Sequence, residues 1–279
     1  MNDASFLSTA SKLAQEAAQA VLKFYQEPLE KNRKEDRSFV TDADLRSDEI
    51  LRKGLGKAFP DHRVLTEEDG LSGNADSEYV WLIDPLDGTS AFVKGIPGFC
   101  VMVGLLKAGR PCLGVVVDPL EGSIYEAVSG EGAFLIRKGG RSRLKVSTRD
   151  DFSEMPLVTS TGISPERLEE VRKKIPSPLY HPINSVGIKV GLLVRQMADI
   201  YVSHHSVHLW DTCAPQVILE EAGGRITYAD GGPLRYDLLS DHDHRNLIVA
   251  SNGARHQDLV RQLTSRGDGQ DSIFPQSNT

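Results

Sequence analysis

Tyr79-Val80-Trp81-Leu82-Ile83-Asp84-Pro85-Leu86-Asp87-Gly88-Thr89 is the stretch that decides how this chain folds. Residues 79–83 are apolar with little alternation, which predicts a strand buried on both faces. Pro85 cannot donate to a central ladder, so the strand is expected to end and the chain to turn there. Asp84 and Asp87 then stand at a strand end, with backbone carbonyls and the Thr89 hydroxyl beside them. Two carboxylates held this close repel each other unless a cation lies between them. Hard oxygen donors suit Mg²⁺, which takes one or two carboxylates and keeps water and substrate phosphate for its other positions. A bare Asp-x-x-Asp also occurs in ordinary polar turns, so the surrounding sequence has to decide between the two.

Upstream, apolar residues recur near helical period over residues 4–26, and Pro28 ends that pattern. Residues 30–37 read as a charged, solvated loop. A second amphipathic helix is expected from Asp44 to Phe59, with Leu45, Ile50, Leu51 and Leu55 inward. Strand signals follow at 63–66, 79–83, 99–106, 112–118, 123–127 and 132–136, several joined by turns that suggest antiparallel hairpins. Beyond about residue 150 strands and helices alternate. Strands are expected at 157–160, 200–202 and 247–250, and helices at 164–175, 186–197, 212–222 and 254–263. This pattern predicts two subdomains. An α+β half, residues 1–150, would carry most of the metal ligands. An α/β half, residues 151–264, would supply Asp211 and substrate contacts, and the polar tail 265–279 would lack order.

The 279 residues suffice for one large domain or two smaller ones. A net charge of −7 with no basic stripe excludes a general binder of nucleic-acid polymers. It leaves room for a small anionic substrate, because bound metal reverses the local field. Cys100, Cys112 and Cys213 are odd in number and widely spaced with no CxxC pair, which points to buried thiols and a reducing compartment. No apolar run is long enough to span a membrane, and the first residues lack the form of a signal peptide. A cytoplasmic location is expected.

Four acidic clusters stand out: Val40-Thr41-Asp42-Ala43-Asp44, Glu67-Glu68-Asp69-Gly70, the Asp84/Asp87 pair, and Trp210-Asp211-Thr212. Each falls at a predicted strand end or helix start, where binding groups are commonly displayed. Taken alone, Asp211 reads as a helix cap and Glu67 as a surface acid. Together, VTDAD, LTEED, WLIDPLDGT and LWDTCAP followed by EEAGG resemble, in order and spacing, the signatures of the inositol monophosphatase-like superfamily of Mg²⁺-dependent, lithium-sensitive phosphatases. The resemblance covers roughly residues 5–255. It implies a layered αβαβα sandwich and two to three Mg²⁺ ions per site. Carried across, Glu67, Asp84, the Leu86 carbonyl and Asp87 surround a first ion, and Asp84, Asp87 and Asp211 hold a second. Asp44 helps Glu67 hold a third. Thr89 bonds the attacking water, Gly88 and Thr89 cradle the phosphate, and dimers are common. Such a site predicts direct attack of water on a phosphate monoester, without a phosphoenzyme.

The wording around these motifs leans toward the bacterial 3'(2'),5'-bisphosphate nucleotidases. VLTEEDG and the lysine in Ser185-Val186-Gly187-Ile188-Lys189 resemble that group, so Lys189 is a candidate contact for a second phosphate. Its alternative is a helix-face lysine pointing to solvent. Ser90-Ala91-Phe92 departs from the Lys/Arg-Glu-Phe usual after DPLDGT in nucleotidases, and the Arg and His they often carry near Ser160-Thr161-Gly162-Ile163 are missing. The expected substrate is adenosine 3',5'-bisphosphate. The alternatives are inositol-1-phosphate or a broader range of sugar phosphates, and a metal-binding regulatory protein without activity. His204, His205 and His208 have no zinc-site spacing and read as a loop, residues 241–244 as a surface loop, and Cys213 as a small core residue.

Overall fold

The computed structural model describes residues 3–25, 31–33, 39–239, 242–244 and 246–265. Within the expected charged loop at 30–37, Lys31–Arg33 forms a strand paired antiparallel with Phe39–Thr41, which corrects that reading; the rest of that loop, the tail from 266 and Asp241 lie outside the described residues.

In chain order the elements are α1 (Asp3–Tyr25), β1 (Lys31–Arg33), β2 (Phe39–Thr41), α2 (Asp42–Ala58), β3 (Arg63–Thr66), β4 (Gly70–Gly73), β5 (Tyr79–Asp87), α3 (Thr89–Val93), β6 (Cys100–Lys107), β7 (Arg110–Asp118), β8 (Ser123–Val128), β9 (Gly132–Arg137) and β10 (Gly140–Arg143). There follow β11 (Leu157–Val158), α4 (Pro165–Lys174), α5 (Val186–Val194), β12 (Ile200–Val202), α6 (Leu209–Glu221), β13 (Arg225–Tyr228), β14 (Ile248–Ser251) and α7 (His256–Thr264). An eight-stranded sheet has the order β10-β9-β8-β7-β6-β5-β3-β4, and a four-stranded sheet the order β11-β12-β14-β13. The large sheet is antiparallel apart from the β3–β5 pair.

Strand alternation explains the layering, because successive side chains point to opposite faces. In β5, Trp81 and Ile83 join a core with α1 and α2 residues such as Phe6, Ala14 and Leu51. Their neighbours Val80 and Leu82 face the other way, into a core shared with Val190 of α5, Cys213 and Ile218 of α6, and Tyr201 and Ala250 of the small sheet. The small sheet's opposite face, with Ile200 and Val249, packs against Val171 of α4 and Leu259 of α7. The fold is thus a five-layer αβαβα sandwich, as expected.

The strand carrying the acidic pair runs on past its expected end. β5 continues through Pro85 to Asp87, and its register against β6 shifts between Asp84 and Asp87. Pairing with β3 stops at Ile83, so Pro85 interrupts no ladder on that side. A bulge accommodates the proline and kinks the strand where the two carboxylates leave it. The strands missed by the sequence reading, β1, β2, β4, β10 and β13, are all sheet edges. Short, polar or glycine-containing edges carry little alternation to detect.

The cross-strand pair Gly104 and Gly114 forms the seat of α6. A Cβ on Gly104 would lie 2.5 Å from Cys213 Sγ, and one on Gly114 2.4 Å from the Ala214 carbonyl oxygen. Only glycine allows the first turns of α6, which carry Asp211, to sit this close to the sheet. Gly114→Ala should therefore destabilise the protein by about 1–3 kcal/mol. Gly56→Ala, in open space within α2, should instead stabilise it by about 0.5–1 kcal/mol. Thermal or urea unfolding of the two variants checks this; equal stability of Gly114→Ala and the parent would refute the close seating.

Candidate active site

Five segments bring the acidic clusters together. Asp44 sits in the first turn of α2, where the Thr41 hydroxyl caps the helix and Asp44 reciprocates in a capping box. Asp44 Oδ2 accepts from the Thr41 amide at 2.8 Å and from the Thr41 hydroxyl at 2.5 Å. Its other oxygen, Oδ1, accepts from the Thr89 hydroxyl at 3.1 Å, and Thr89 Oγ1 is also 3.0 Å from the Leu86 carbonyl. The Ser47 hydroxyl, one turn further along α2, donates to the Pro85 carbonyl at 2.7 Å. The start of α2 is thus pinned directly to the β5 bulge.

Asp84 and Asp87 are both buried. The Leu86 amide donates to Asp84 Oδ1 at 3.0 Å. Three donors converge on Asp87 Oδ2: the Ser185 hydroxyl at 2.6 Å, the Gly187 amide at 2.9 Å and the Cys100 thiol at 3.7 Å. Ser185 is the N-cap of α5, so Asp87 rests on a helix N-terminus whose amides and dipole favour a negative charge. Asp211, in the first turn of α6, accepts from the His208 amide at 2.8 Å. Its carboxyl also comes within hydrogen-bonding range of Asp84. Glu67 follows β3, and its amide donates to the Ile83 carbonyl at 3.4 Å, which brings it alongside Asp84.

The electrostatics follow from crowding acids out of water. Burial first, then the charges of Glu67, Asp87 and Asp211, push the Asp84 carboxyl well above the usual range. Burial and the charge of Asp211 raise Asp87 to about 6, against the pull of Ser185, Gly187 and Lys189. Burial raises Asp44 to about 6 despite its bonds to Thr41. Among the described residues, no three His, Cys, Asp or Glu side chains are drawn together closely enough to hold a metal ion by themselves. An open arrangement of paired carboxylates with a neighbouring carbonyl is nevertheless what a Mg²⁺ ion that keeps waters and substrate oxygens requires. A divalent cation would relieve the same repulsion that raises these carboxyls. The donors present therefore fit Mg²⁺, with Glu67, Asp84, Asp87, Asp211 and the Leu86 carbonyl as the groups able to hold it.

Gly88 caps the short α3 at φ 89°, and a Cβ there would fall 2.4 Å from the Gly98 carbonyl oxygen. The turn between Asp87 and Thr89 needs glycine.

Lys189 departs from expectation. It does not point to solvent; it is completely buried in α5. Its ammonium donates to Ser160 Oγ at 2.6 Å and to the Asn184 carbonyl at 3.0 Å, and lies 4.4 Å from the centre of the Tyr201 ring. These internal partners occupy the group that the resemblance offers to a second phosphate. Burial lowers its pKa to about 8, opposed by the charges of Asp87 and Asp211. The expected surface loop at 241–244 also needs correction. His244 is buried, with its ring nitrogens 2.7 Å from Thr212 Oγ1 and 3.0 Å from the Tyr228 hydroxyl, bracing the residue next to Asp211.

Sequence reading missed Ser185, Gly187 and Cys100 as partners of Asp87. A serine directly before the apolar run 186–194 is a recognisable N-cap, but nothing local says which carboxylate approaches it. His208 was read as loop. Its ring stacks on Trp210 at 4.7 Å and 7°, with Nε2 3.1 Å from Asp243 Oδ1. Burial opposes its charge, yet Asp211, Asp243 and Glu67 outweigh that and raise it to about 8.

The carboxyls of Asp44 and Asp87 hold protons to about pH 6, so protons compete with any cation there. Sharing the site with Mg²⁺ should therefore raise the melting temperature more at about pH 7.5 than at about pH 5. The half-buried ring of His204 and the buried rings of His244 and His256, each lowered to about 4 chiefly by desolvation, act oppositely. They lose stability as pH falls from their unfolded value, so the difference with and without Mg²⁺ is the quantity to measure. An equal Mg²⁺ effect at both pH values would count against the acidic cluster as the cation site.

The family model described as "Inositol monophosphatase family" matches residues 2–267. The chain is 32% identical over 234 residues to the Nus factor SuhB of Pasteurella multocida, covering 81% of this chain and 86% of that protein. It is 30% identical over 246 residues to the 3'(2'),5'-bisphosphate nucleotidase CysQ of Aggregatibacter actinomycetemcomitans, covering 87% and 91%. The solved structure of inositol monophosphatase from Anabaena (Nostoc) superposes with a TM-score of 0.76 at 29% identity, covering 94% of this chain and 96% of that one.

Proposed function

The chain belongs to the inositol monophosphatase family, and on that premise we propose that it is a Mg²⁺-dependent phosphomonoesterase acting on adenosine 3',5'-bisphosphate, releasing AMP and phosphate. The observation that carries the reaction class is the convergence of Asp84, Asp87, Asp211 and Glu67 beside a Thr89–Asp44 hydrogen bond. When bound, Mg²⁺ supplies Lewis-acid activation of water and neutralises charge on the phosphoryl oxygens.

The protein's own groups do the rest. Asp87 comes from the large sheet and Asp211 from α6, and both would help hold the cation. Oδ2 of Asp87 is held by three donors, which leaves Oδ1 as its oxygen for a cation. The Thr89 hydroxyl, donating to Asp44 Oδ1, keeps lone pairs with which to accept a hydrogen bond from the attacking water. Asp44, raised to about 6, is poised to take a proton through Thr89 near neutral pH. The backbone of Gly88 and Thr89 lies next to these groups and cradles the phosphate. Positioning and charge stabilisation are what phosphoryl transfer chiefly demands of a protein.

For the substrate, the support is the likeness to the CysQ bisphosphate nucleotidase and a group of basic side chains around His204. His204 feels the charges of His205, Lys189 and Arg167, with the two histidine rings 4.5 Å apart. His204, lowered to about 4, is neutral at pH 7 and can offer only a hydrogen bond, so a second dianion would rely on Arg167; a monoester with one phosphate has no use for a cation there. Inositol-1-phosphate is the second reading. It is favoured by the enclosure of Lys189, which withholds that ammonium from a second phosphate, and by the likeness to the Anabaena inositol monophosphatase. Lithium inhibition is expected under either reading.

Assays with the two esters at equal Mg²⁺ decide between them: faster turnover of inositol-1-phosphate would overturn the nucleotidase reading. Arg167→Ala should raise KM for the bisphosphate selectively. Asp87→Asn should lower turnover of every ester by at least about 100-fold while the protein stays folded by circular dichroism; retained activity would overturn the site assignment.

A further inference from the structure

α5 reads Val-Gly-Ile-Lys-Val-Gly-Leu-Leu-Val, an apolar helix with one charge, and that charge is fully enclosed. A buried ammonium is costly unless its donors are satisfied. Here two N–H bonds go to Ser160 and to the Asn184 carbonyl, and the Tyr201 ring face lies 4.4 Å away. Each partner is placed where it matters for Asp87. Asn184 directly precedes Ser185, the N-cap whose hydroxyl grips Asp87 Oδ2, and the Gly187 amide on the same turn grips it again. Ser160 belongs to the loop after β11, which is tied to the segment before α5 by two further contacts. The Ile183 amide donates to the Thr159 carbonyl at 2.9 Å, and the Thr161 hydroxyl bonds to Asn184. Lys189 thus joins three things: the loop at 159–161, the strand-like approach to α5, and the helix turn that holds Asp87.

We propose that Lys189 is a positioning residue: its buried ammonium clamps the start of α5 against the Ser160 loop and so fixes the Ser185–Gly187 cradle that aims Asp87 at the cation. It acts through Asp87 and does not touch the phosphate ester. The role rests on the reading that Asp87 holds a divalent cation, and it departs from the second-phosphate contact implied by the resemblance.

The test uses the full chain and Mn²⁺ as a spectroscopic substitute for Mg²⁺. Free Mn²⁺ measured by electron paramagnetic resonance gives affinity without reference to catalysis. Lys189→Met keeps length and bulk while removing the charge and its donors. It should weaken Mn²⁺ binding by about 10–100-fold, the usual cost of losing an outer-shell partner. It should shift the Mg²⁺ activation midpoint in parallel, and KM for adenosine 3',5'-bisphosphate at saturating Mg²⁺ should stay within about 3-fold. Lys189→Arg should restore part of the Mn²⁺ affinity.

Ser160→Ala removes one anchor and leaves the charge in place. It should weaken Mn²⁺ binding in the same direction by a smaller factor, and it decides the matter if Lys189→Met does not fold. Unchanged Mn²⁺ affinity in these variants, with KM for the bisphosphate selectively raised, would overturn the positioning role in favour of a substrate contact. Asp87→Asn is the reference. If it binds Mn²⁺ like the parent, the metal-site reading fails and this inference with it. If it loses Mn²⁺ while Lys189→Met does not, the inference alone fails.

Discussion

Mutual repulsion among carboxylates withdrawn from water is the constraint around which this molecule is arranged. Asp84 and Asp87 are buried, Asp211 comes within bonding range of Asp84, and Glu67 adds a fourth charge. Such a cluster raises the free energy of the folded state until something positive or hydrogen-bond-donating meets it. The chain meets it with the Leu86 amide on Asp84, a serine, an amide and a thiol on Asp87, and the His208 amide on Asp211. Each of these donors occupies one oxygen of its carboxylate. The remaining demand is one that a divalent cation would satisfy, so the same repulsion that costs stability is what the proposed metal site would draw on.

Holding the carboxylates in place depends on contacts between layers. Asp87 leaves the large sheet and meets the N-terminus of α5, while Asp211 arrives on α6. α6 can lie close to the sheet because Gly104 and Gly114 face it across adjacent strands. On the opposite face of the same sheet, α2 brings Asp44 to Thr89 and ties Ser47 to the Pro85 carbonyl. The site therefore gathers groups from both faces at the kink of one strand. The kink exists because Pro85 and its bulge break the ladder between the two aspartates.

Much of the architecture was legible in periodicity. The helices over 3–25, 42–58 and 209–221 and the central hairpins carry apolar residues at spacings that leave little choice. Cys213 read correctly as core, since a small apolar thiol on a helix face packs well. The errors share a cause. Pro85 was read as a turn because a strand proline is tolerated only where a neighbouring strand has ended, and that neighbour, β3, is remote in sequence. Local sequence cannot choose between solvent and substrate for Lys189, because its partners Ser160 and Tyr201 lie 29 and 12 residues away along the chain. His244 was placed at the surface because the hydroxyls of Thr212 and Tyr228 that bury it come from α6 and β13.

The identity and order of the acidic segments, the glycine after Asp87 and the threonine beside it were determined by the sequence alone. They are chemical requirements of single positions: a carboxylate for a hard cation, a positive φ, a hydroxyl beside a base. Which oxygen of each carboxylate is already occupied, which helix supports Asp87, and where the enclosed charge of Lys189 acts were decided only by tertiary structure. Hydrogen bonds and Coulomb forces of this kind act over a few ångströms of space. The layers that bring Ser185 and Lys189 to Asp87 fold together residues about a hundred positions apart, a distance across which local sequence carries no record of contact.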